Sequence, residues 1–419
     1  MGGTNVFAVK GIFIDTPSIC SFRVRQGYAV IKGDKCLGVF SSLPGEYSGI
    51  NVEDYGNALI IPGMTDLHLH APQYSYCGTA MDVQLLEWLS KYTYPEEAKY
   101  NDFEYAKKGY SNFVKDLKNT TTTRAVIFAT IHTEATLELM RQLDEAGFVA
   151  YVGKLNMNRN APDYYVERST DEGMAETRRW INACNFKNVK PIITPRFTPS
   201  VTDDYMLELG KLAKEKGLGM QSHLNENTDE IAWVKSLCPD AKNYSDTYDR
   251  YGLFGKECPT VMAHCIYCTA EENKLIKDNG VYIAHCPTSN ENVIAGISPA
   301  AYYLRNGYHI GLGSDVAGGH TLSLLDVMAS SVQVSKIRNL YLDKSIKPLN
   351  MAEAFYMATV GGGSFFGNVG LFEEGYDFDA VVLDDSNKGN PREFTPEERV
   401  ERLAYLSCGR ILRKYIKGK

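Results

Sequence analysis

The stretch Pro62-Gly63-Met64-Thr65-Asp66-Leu67-His68-Leu69-His70-Ala71-Pro72-Gln73 decides how the rest of the chain is read. An apolar run from Ala58 to Ile61 leads through a Pro-Gly break into two histidines one residue apart. In extended backbone, residues i and i+2 face the same side, so His68 and His70 can offer two imidazoles to one point. A metal is the commonest reason to build such a pair, because neutral imidazole is a standard ligand for zinc, iron or nickel. Two polar residues on a loop would look the same, so the pair has to be weighed with the other histidines.

The chain has only eight histidines, and three more end apolar, strand-like runs. His223 ends Leu218-Gly-Met-Gln-Ser-His223, His264 ends Thr260-Val-Met-Ala-His264, and His285 ends Val281-Tyr-Ile-Ala-His285. Asp315 ends His309-Ile-Gly-Leu-Gly-Ser-Asp315 in the same way. Polar residues at the carboxyl ends of successive buried strands are the mark of an α/β barrel site.

Size and composition agree with that architecture. The 419 residues, 44% of them hydrophobic, suffice for a full barrel and a smaller accessory domain. A net charge of -7 argues against nucleic acid or an anionic membrane as partner. No apolar run approaches the ~20 residues of a membrane helix, and Met1-Gly-Gly-Thr-Asn-Val has neither a signal-peptide nor a myristoylation pattern. Ten scattered cysteines read as free thiols, and the expected location is the cytoplasm.

Residues 1–57 read as short strands (Val6–Ile14, Ser21–Ile31, Lys35–Ser41), and Gly370–Asp384 reads similarly. The expectation is an α/β protein in which both chain ends, 1–57 and 370–419, form one small β domain, with a terminal helix over Glu397–Arg413. Residues 58–369 then form a TIM-like (β/α)8 barrel. Its eight strand-like runs are Ala58–His70, Thr121–Thr130, Phe148–Met157, Val189–Phe197, Leu218–Glu226, Thr260–Tyr267, Val281–Asn290 and His309–Asp315. Helical periodicity separates them, as in Phe103–Lys118, Asp203–Lys216 and Ala270–Asp278.

On this frame His68, His70, His223 and Asp315 are the expected ligands of one divalent ion, with room left for a water. Glu226, three residues after His223, reads either as a general acid/base over the site or as a carboxylate favoured before the next helix. His264 could hydrogen-bond the water, and His285 is read as supporting or structural. The pairing of His132-Thr-Glu134 with Cys265-Ile-Tyr-Cys268 mimics the H-x-E and C-x-x-C of cytidine-type deaminases. Here His264, not proline, precedes Cys265, and the cysteines follow a strand, so the match is read as coincidence. Two-metal enzymes on this barrel bridge their ions with a lysine at the fourth strand end. That position here is Thr194-Pro195-Arg196-Phe197, with Lys190 back at the strand's start, which predicts one metal.

These stretches resemble the amidohydrolase superfamily and, within it, the guanine deaminase family, over essentially the whole chain. The likeness rests on 62–74, Leu86-Glu-Trp-Leu-Ser-Lys-Tyr-Thr-Tyr-Pro95, Ala129-Thr-Ile-His-Thr133, Lys190-Pro-Ile-Ile-Thr-Pro-Arg-Phe197, Gln221-Ser-His-Leu-Asn-Glu226, Val261-Met-Ala-His264, Ala284-His-Cys-Pro-Thr-Ser-Asn290 and 311–319. The resemblance implies zinc (iron(II) being the alternative) on His68, His70, His223 and Asp315. It also implies that His264 orients the attacking water and Glu226 moves protons at a purine ring. Gln73 and Arg196 are then the donors to a guanine carbonyl, with Phe197 against the ring. The expected reaction is hydrolytic deamination of guanine to xanthine at one metal-activated water, in purine catabolism, by a homodimer. Cys265 departs from the family, which often has glycine there. The alternatives are a related amidohydrolase acting on cytosine, a triazine or an adenosine derivative, or a non-catalytic barrel scaffold. The expected cover of the site is 73–95.

Overall fold

Alternating runs at the start of the chain become β1 (Val6–Ser18), β2 (Ser21–Lys32), β3 (Lys35–Phe40) and β4 (Asn51–Pro62). Next come β5 (Met64–His70), β6 (Thr122–Phe128), β7 (Val149–Gly153), β8 (Leu155–Asn156), β9 (Val189–Pro191) and β10 (Thr194–Pro195). They are followed by β11 (Met220–Leu224), β12 (Thr260–His264), β13 (Tyr282–His285) and β14 (His309–Leu312), then by β15 (Ala380–Asp384) and β16 (Arg410–Tyr415). The structure, a computed structural model, describes residues 6–386, 390–407 and 409–419.

The fold is α/β. β5, β6, β7 and β9 form one parallel four-stranded sheet, and β11 to β14 form a second. Every residue of β5, β6, β11 and β12 is buried, as strands covered on both faces must be. The short pair β8–β10 lies between the sheets, and a parallel bridge from Ile193 to Met220 reaches β11. On the other side, Asp315 N donates to His68 O at 2.8 Å and His70 N to Val316 O at 3.0 Å. The backbone after β14 is thereby bonded to β5.

Both chain ends meet in a six-stranded sheet of order β16-β15-β4-β1-β2-β3. Here two expectations are corrected. The run Ala58–Ile61 does not open the first parallel strand but completes β4, pairing with β1 and β15. The break at Pro62-Gly63 is where the chain changes partners: Gly63 N bonds to Asp379 O, and Met64 N to Thr121 O. The terminal helix also stops early, spanning Pro396–Leu406, with Ser407 left-handed at φ 47°. Arg410–Tyr415 then pairs antiparallel with β15. The open edge of β15 supplies a full ladder of backbone partners, and that outweighs a weak helical preference.

The helices Phe103–Lys118, Asp203–Lys216 and Ala270–Asp278 stand where the periodicity puts them. Asp102 caps the first, accepting from Glu104 N and Tyr105 N, and Thr269 with Glu272 forms a capping box on the third. All eight expected barrel strands are shorter than their apolar runs, and Phe148–Met157 and Val189–Phe197 are each divided in two, as β7 with β8 and β9 with β10. β13 gives way to a helix at Pro287–Asn292, where proline fits the first turn. β14 ends at Leu312, leaving Asp315 on the following loop. Among the described residues no helix is long and apolar enough to cross a membrane.

Candidate active site

His68 and His70 leave β5 on the same side, and their rings lie 5.0 Å apart. His223, from β11, brings its Nε2 to 3.3 Å from His70 Nε2. Asp315 comes in from the loop after β14, its Oδ1 3.1 Å from His68 Nε2 and 3.4 Å from His70 Nε2. The ligand atoms of His68, His70 and His223 all lie within 4.8 Å of one another, as do those of His68, His264 and Asp315. All are buried or nearly so.

The turn that delivers Asp315 is a tight one. Asp315 itself has φ 47°, a conformation costly for a residue with a Cβ. Gly313 allows the approach, since a Cβ there would come within 2.8 Å of Cys286 Sγ and 3.0 Å of His68 Cβ. Asp66 ties the two segments together: its Oδ1 accepts from His68 N at 3.2 Å and from Ser314 N at 3.0 Å. Burial raises its carboxyl to about 6.

This donor set fits a divalent cation. The Nδ1–H of His223 donates to Arg196 O at 2.6 Å, which leaves Nε2 as a bare lone pair aimed at His70. His68 Nε2 and His264 Nε2 are buried with no hydrogen-bond partner among the described residues. Burial also lowers His70 and His223 well below the ordinary imidazole range, so both are neutral. Lone pairs crowded against one another and against a carboxylate are unfavourable without a shared positive charge.

Glu226 sits across the site from Asp315. Its Oε2 is 3.5 Å from His264 Nε2, which in turn is 3.7 Å from Asp315 Oδ2. The capping alternative does not hold: Asn227 and Glu230 form the capping box of the helix Thr228–Leu237, and Glu226 gives only its N–H, to Glu230. Burial, then the charges of Glu230 and Asp315, raise the Glu226 carboxyl well above its usual range, which favours its protonated form. His264 is turned by Asn290, whose Oδ1 lies 2.8 Å from His264 Nδ1. Burial lowers its pKa to about 4, which makes Nε2 an acceptor.

One cavity joins these groups. His70, His223, Glu226, His264 and Asp315 form its floor, Gln73, Arg196 and Phe197 one wall, and Leu85, Trp88, Leu89 and Val293 the apolar cover. Every residue named from the sequence as a metal or substrate contact lines this space except His68, whose Nε2 lies 3.1 Å from Asp315 Oδ1. His285 is buried with both ring nitrogens unpartnered among the described residues, and burial lowers it to about 3. The decoy pair falls away: Glu134 is exposed and bonded to Arg179 at 2.6 Å.

Sequence reasoning missed Asp66, Asn290 and above all Glu97. Asp66 and Asn290 stand inside quoted stretches, where their hydrogen-bonding types were a usable signal. Glu97 had none, because its partners lie 24, 68 and 99 positions away.

With a histidine-aspartate cluster at the strand ends of an α/β fold, the class is defined. The chain belongs to the amidohydrolase family, whose profile matches residues 59–419. Within it the chain sits among the guanine deaminases. The guanine deaminase of Dictyostelium discoideum is 39% identical over 386 residues, covering 88% of this chain and 85% of that one. The Escherichia coli enzyme is 36% identical over 344 residues, covering 80% and 75%. A crystal structure of guanine deaminase from C. acetobutylicum with bound guanine in the active site is 47% identical, with a TM-score of 0.95 over 99% of both chains.

Proposed function

We propose that this chain hydrolyses guanine to xanthine and ammonia with one zinc ion held by His68, His70, His223 and Asp315. The observation that carries the reading is one cavity lined by His70, His223 and Asp315 of that cluster together with Glu226, Arg196 and Gln73. When bound, the ion supplies the Lewis acidity that brings a water's pKa toward ~7. His264 Nε2 accepts a hydrogen bond from the attacking water and aims it at C2 of the base. Asp315 takes the proton that the water gives up. Glu226 donates its proton to the ring nitrogen beside C2, so attack builds no net negative charge on the ring. The proton on Asp315 passes to the amine, which leaves as ammonia with the electron pair of the C–N bond. Glu226 then recovers a proton from the new C2 hydroxyl, leaving the xanthine carbonyl.

Arg196 and Gln73 donate toward the guanine carbonyl, and Phe197 covers the ring. Leu85, Trp88 and Leu89 exclude water from the reacting centre. A wall of donors rejects adenine, whose amine would leave them unmatched.

The architecture belongs to the same reading. The two parallel sheets are taken as a closed eight-stranded barrel, supported by the Ile193–Met220 bridge on one side and the Asp315–His68 bond on the other. The six-stranded sheet is taken as a small β domain built from 1–57 and 370–419. A cytoplasmic homodimer completes the proposal, on the strength of the family likeness alone. Following guanine by its ultraviolet absorbance, with the ion stripped and then restored, tests the function. Turnover should vanish and return, and turnover of adenosine or cytosine without guanine would overturn it.

A further inference from the structure

We propose that Glu97 is a positioning residue that makes the cavity selective for a carbonyl-bearing purine, by aiming the Arg196 guanidinium and holding the Gln73 amide so that it too presents only a hydrogen-bond donor. The proposal rests on the reading of this cavity as a guanine site. It adds a residue that does not itself line the cavity.

The Glu97 carboxylate is fully buried. Its Oε1 accepts from Gln73 Nε2 at 2.7 Å and from Arg196 Nη2 at 3.2 Å. Its Oε2 accepts from Arg196 Nη1 at 2.6 Å and from Tyr165 OH at 2.8 Å. The guanidinium is thus gripped from behind by a two-point pair, with its face over the Tyr94 ring at 5.1 Å. Burial disfavours the Arg196 charge, but Glu97 more than offsets this and holds the pKa above its ordinary value.

Gln73 is fixed at both ends of its amide. Its nitrogen donates to Glu97, and its oxygen accepts from Ala317 N at 3.1 Å. A flipped amide would set two donors against each other at Ala317 and two acceptors against each other at Glu97. The only hydrogen that Gln73 has left is its second N–H. Arg196 can only donate, and Glu97 fixes where its N–H groups point; for Gln73, Glu97 is the acceptor that leaves an N–H and not a carbonyl to offer.

Glu97 also stands on the helix Tyr94–Ala98, which directly follows the segment Leu85–Thr93 that supplies Leu85, Trp88 and Leu89 to the cover. The piece of chain that closes the cavity also brings the carboxylate that sets its polarity.

The test compares guanine with 2,6-diaminopurine, which keeps the 2-amino group but carries an amine in place of the carbonyl. The zinc-loaded wild type should prefer guanine strongly. In Glu97→Gln the new amide can donate, Gln73 loses its fixed orientation and Arg196 its paired acceptor. The ratio of kcat/KM for the two bases should fall by about tenfold or more, through KM for guanine, at unchanged zinc content. Glu97→Asp, which keeps the charge on a shorter arm, should recover part of the ratio. If Glu97→Gln does not fold, a threefold or greater fall in Glu97→Asp supports the proposal, and an unchanged ratio overturns it. A Glu97→Gln enzyme with full zinc and the wild-type preference overturns the role of Glu97 alone. A wild type inactive on guanine overturns both this proposal and the reading beneath it.

Discussion

Glu226 is a carboxyl whose surroundings disfavour its charged form. Burial acts first, and Glu230 and Asp315 add to it. Glu226→Gln removes the transferable proton without touching a ligand. The expected outcome is full zinc content by metal analysis with kcat reduced by about 10²–10⁴-fold. Arg196 tests the wall. Arg196→Lys keeps a positive charge but not the paired donors, so KM for guanine should rise by about tenfold while zinc content stays constant. A wild-type KM would remove Arg196 from substrate binding. Of these residues, the proposed ligands and Glu226 could be picked out because each stands in or shortly after an apolar, strand-like run. Glu97 could not, because a glutamate in Tyr94-Pro95-Glu96-Glu97 looks like one more helical surface charge. Only the fold brings Arg196, Gln73 and Tyr165 to it.

At the scale of elements, the four site histidines stand on strands, at or near their carboxyl ends, while Asp315 and Glu226 stand on the loops that follow. His132, just beyond β6 and preceding the helix Thr133–Glu145, shows the cost of such a position. Its Nε2 is buried without a partner among the described residues. Burial and then the nearby Lys154 ammonium lower it from 6.5 to about 4. The unfolded chain therefore binds a proton on this group between pH 6.5 and pH 4 that the folded chain refuses. Stability should be fully present above pH 6.5 and drop by ~2–3 kcal/mol as pH falls toward 4. Melting temperatures across this range should show a shallower acid slope for His132→Gln than for the wild type. The helices at Phe103–Lys118, Asp203–Lys216 and Ala270–Asp278 were readable because periodicity and capping residues are local. The strand at Arg410–Tyr415 was not. Its sequence suits a helix equally well, and its partner lies some thirty positions earlier, in β15.

For the whole molecule, the joint between the sheet of the chain ends and the parallel strands is an ion-paired one. Arg124 on β6 bonds to Asp379 at 2.6 Å and to Asp377 at 2.7 Å, with the arginine and Asp379 buried. Arg124→Met would take from the buried Asp379 its ion-pair partner, leaving it only Thr123 Oγ1 and Lys417 N as donors among the described residues. Thermal unfolding should show a loss of about 3–5 kcal/mol, while the zinc content of folded protein stays at the wild-type level. Chelation should abolish turnover and also lower the melting temperature until the ion is returned. The sequence by itself determined the strand-ending histidines and aspartate, the class of ion they suit and the alternation of strands with helices. All of these follow from short-range periodicity and residue type. The tertiary structure alone decided where β4 ends and β5 begins, that Glu226 faces the cavity instead of capping a helix, and that Glu97 stands behind Arg196 and Gln73. Those outcomes depend on which distant backbone and side chains compete for the same hydrogen bonds. That competition is settled only when the whole chain packs, because burial makes each unmatched polar group expensive.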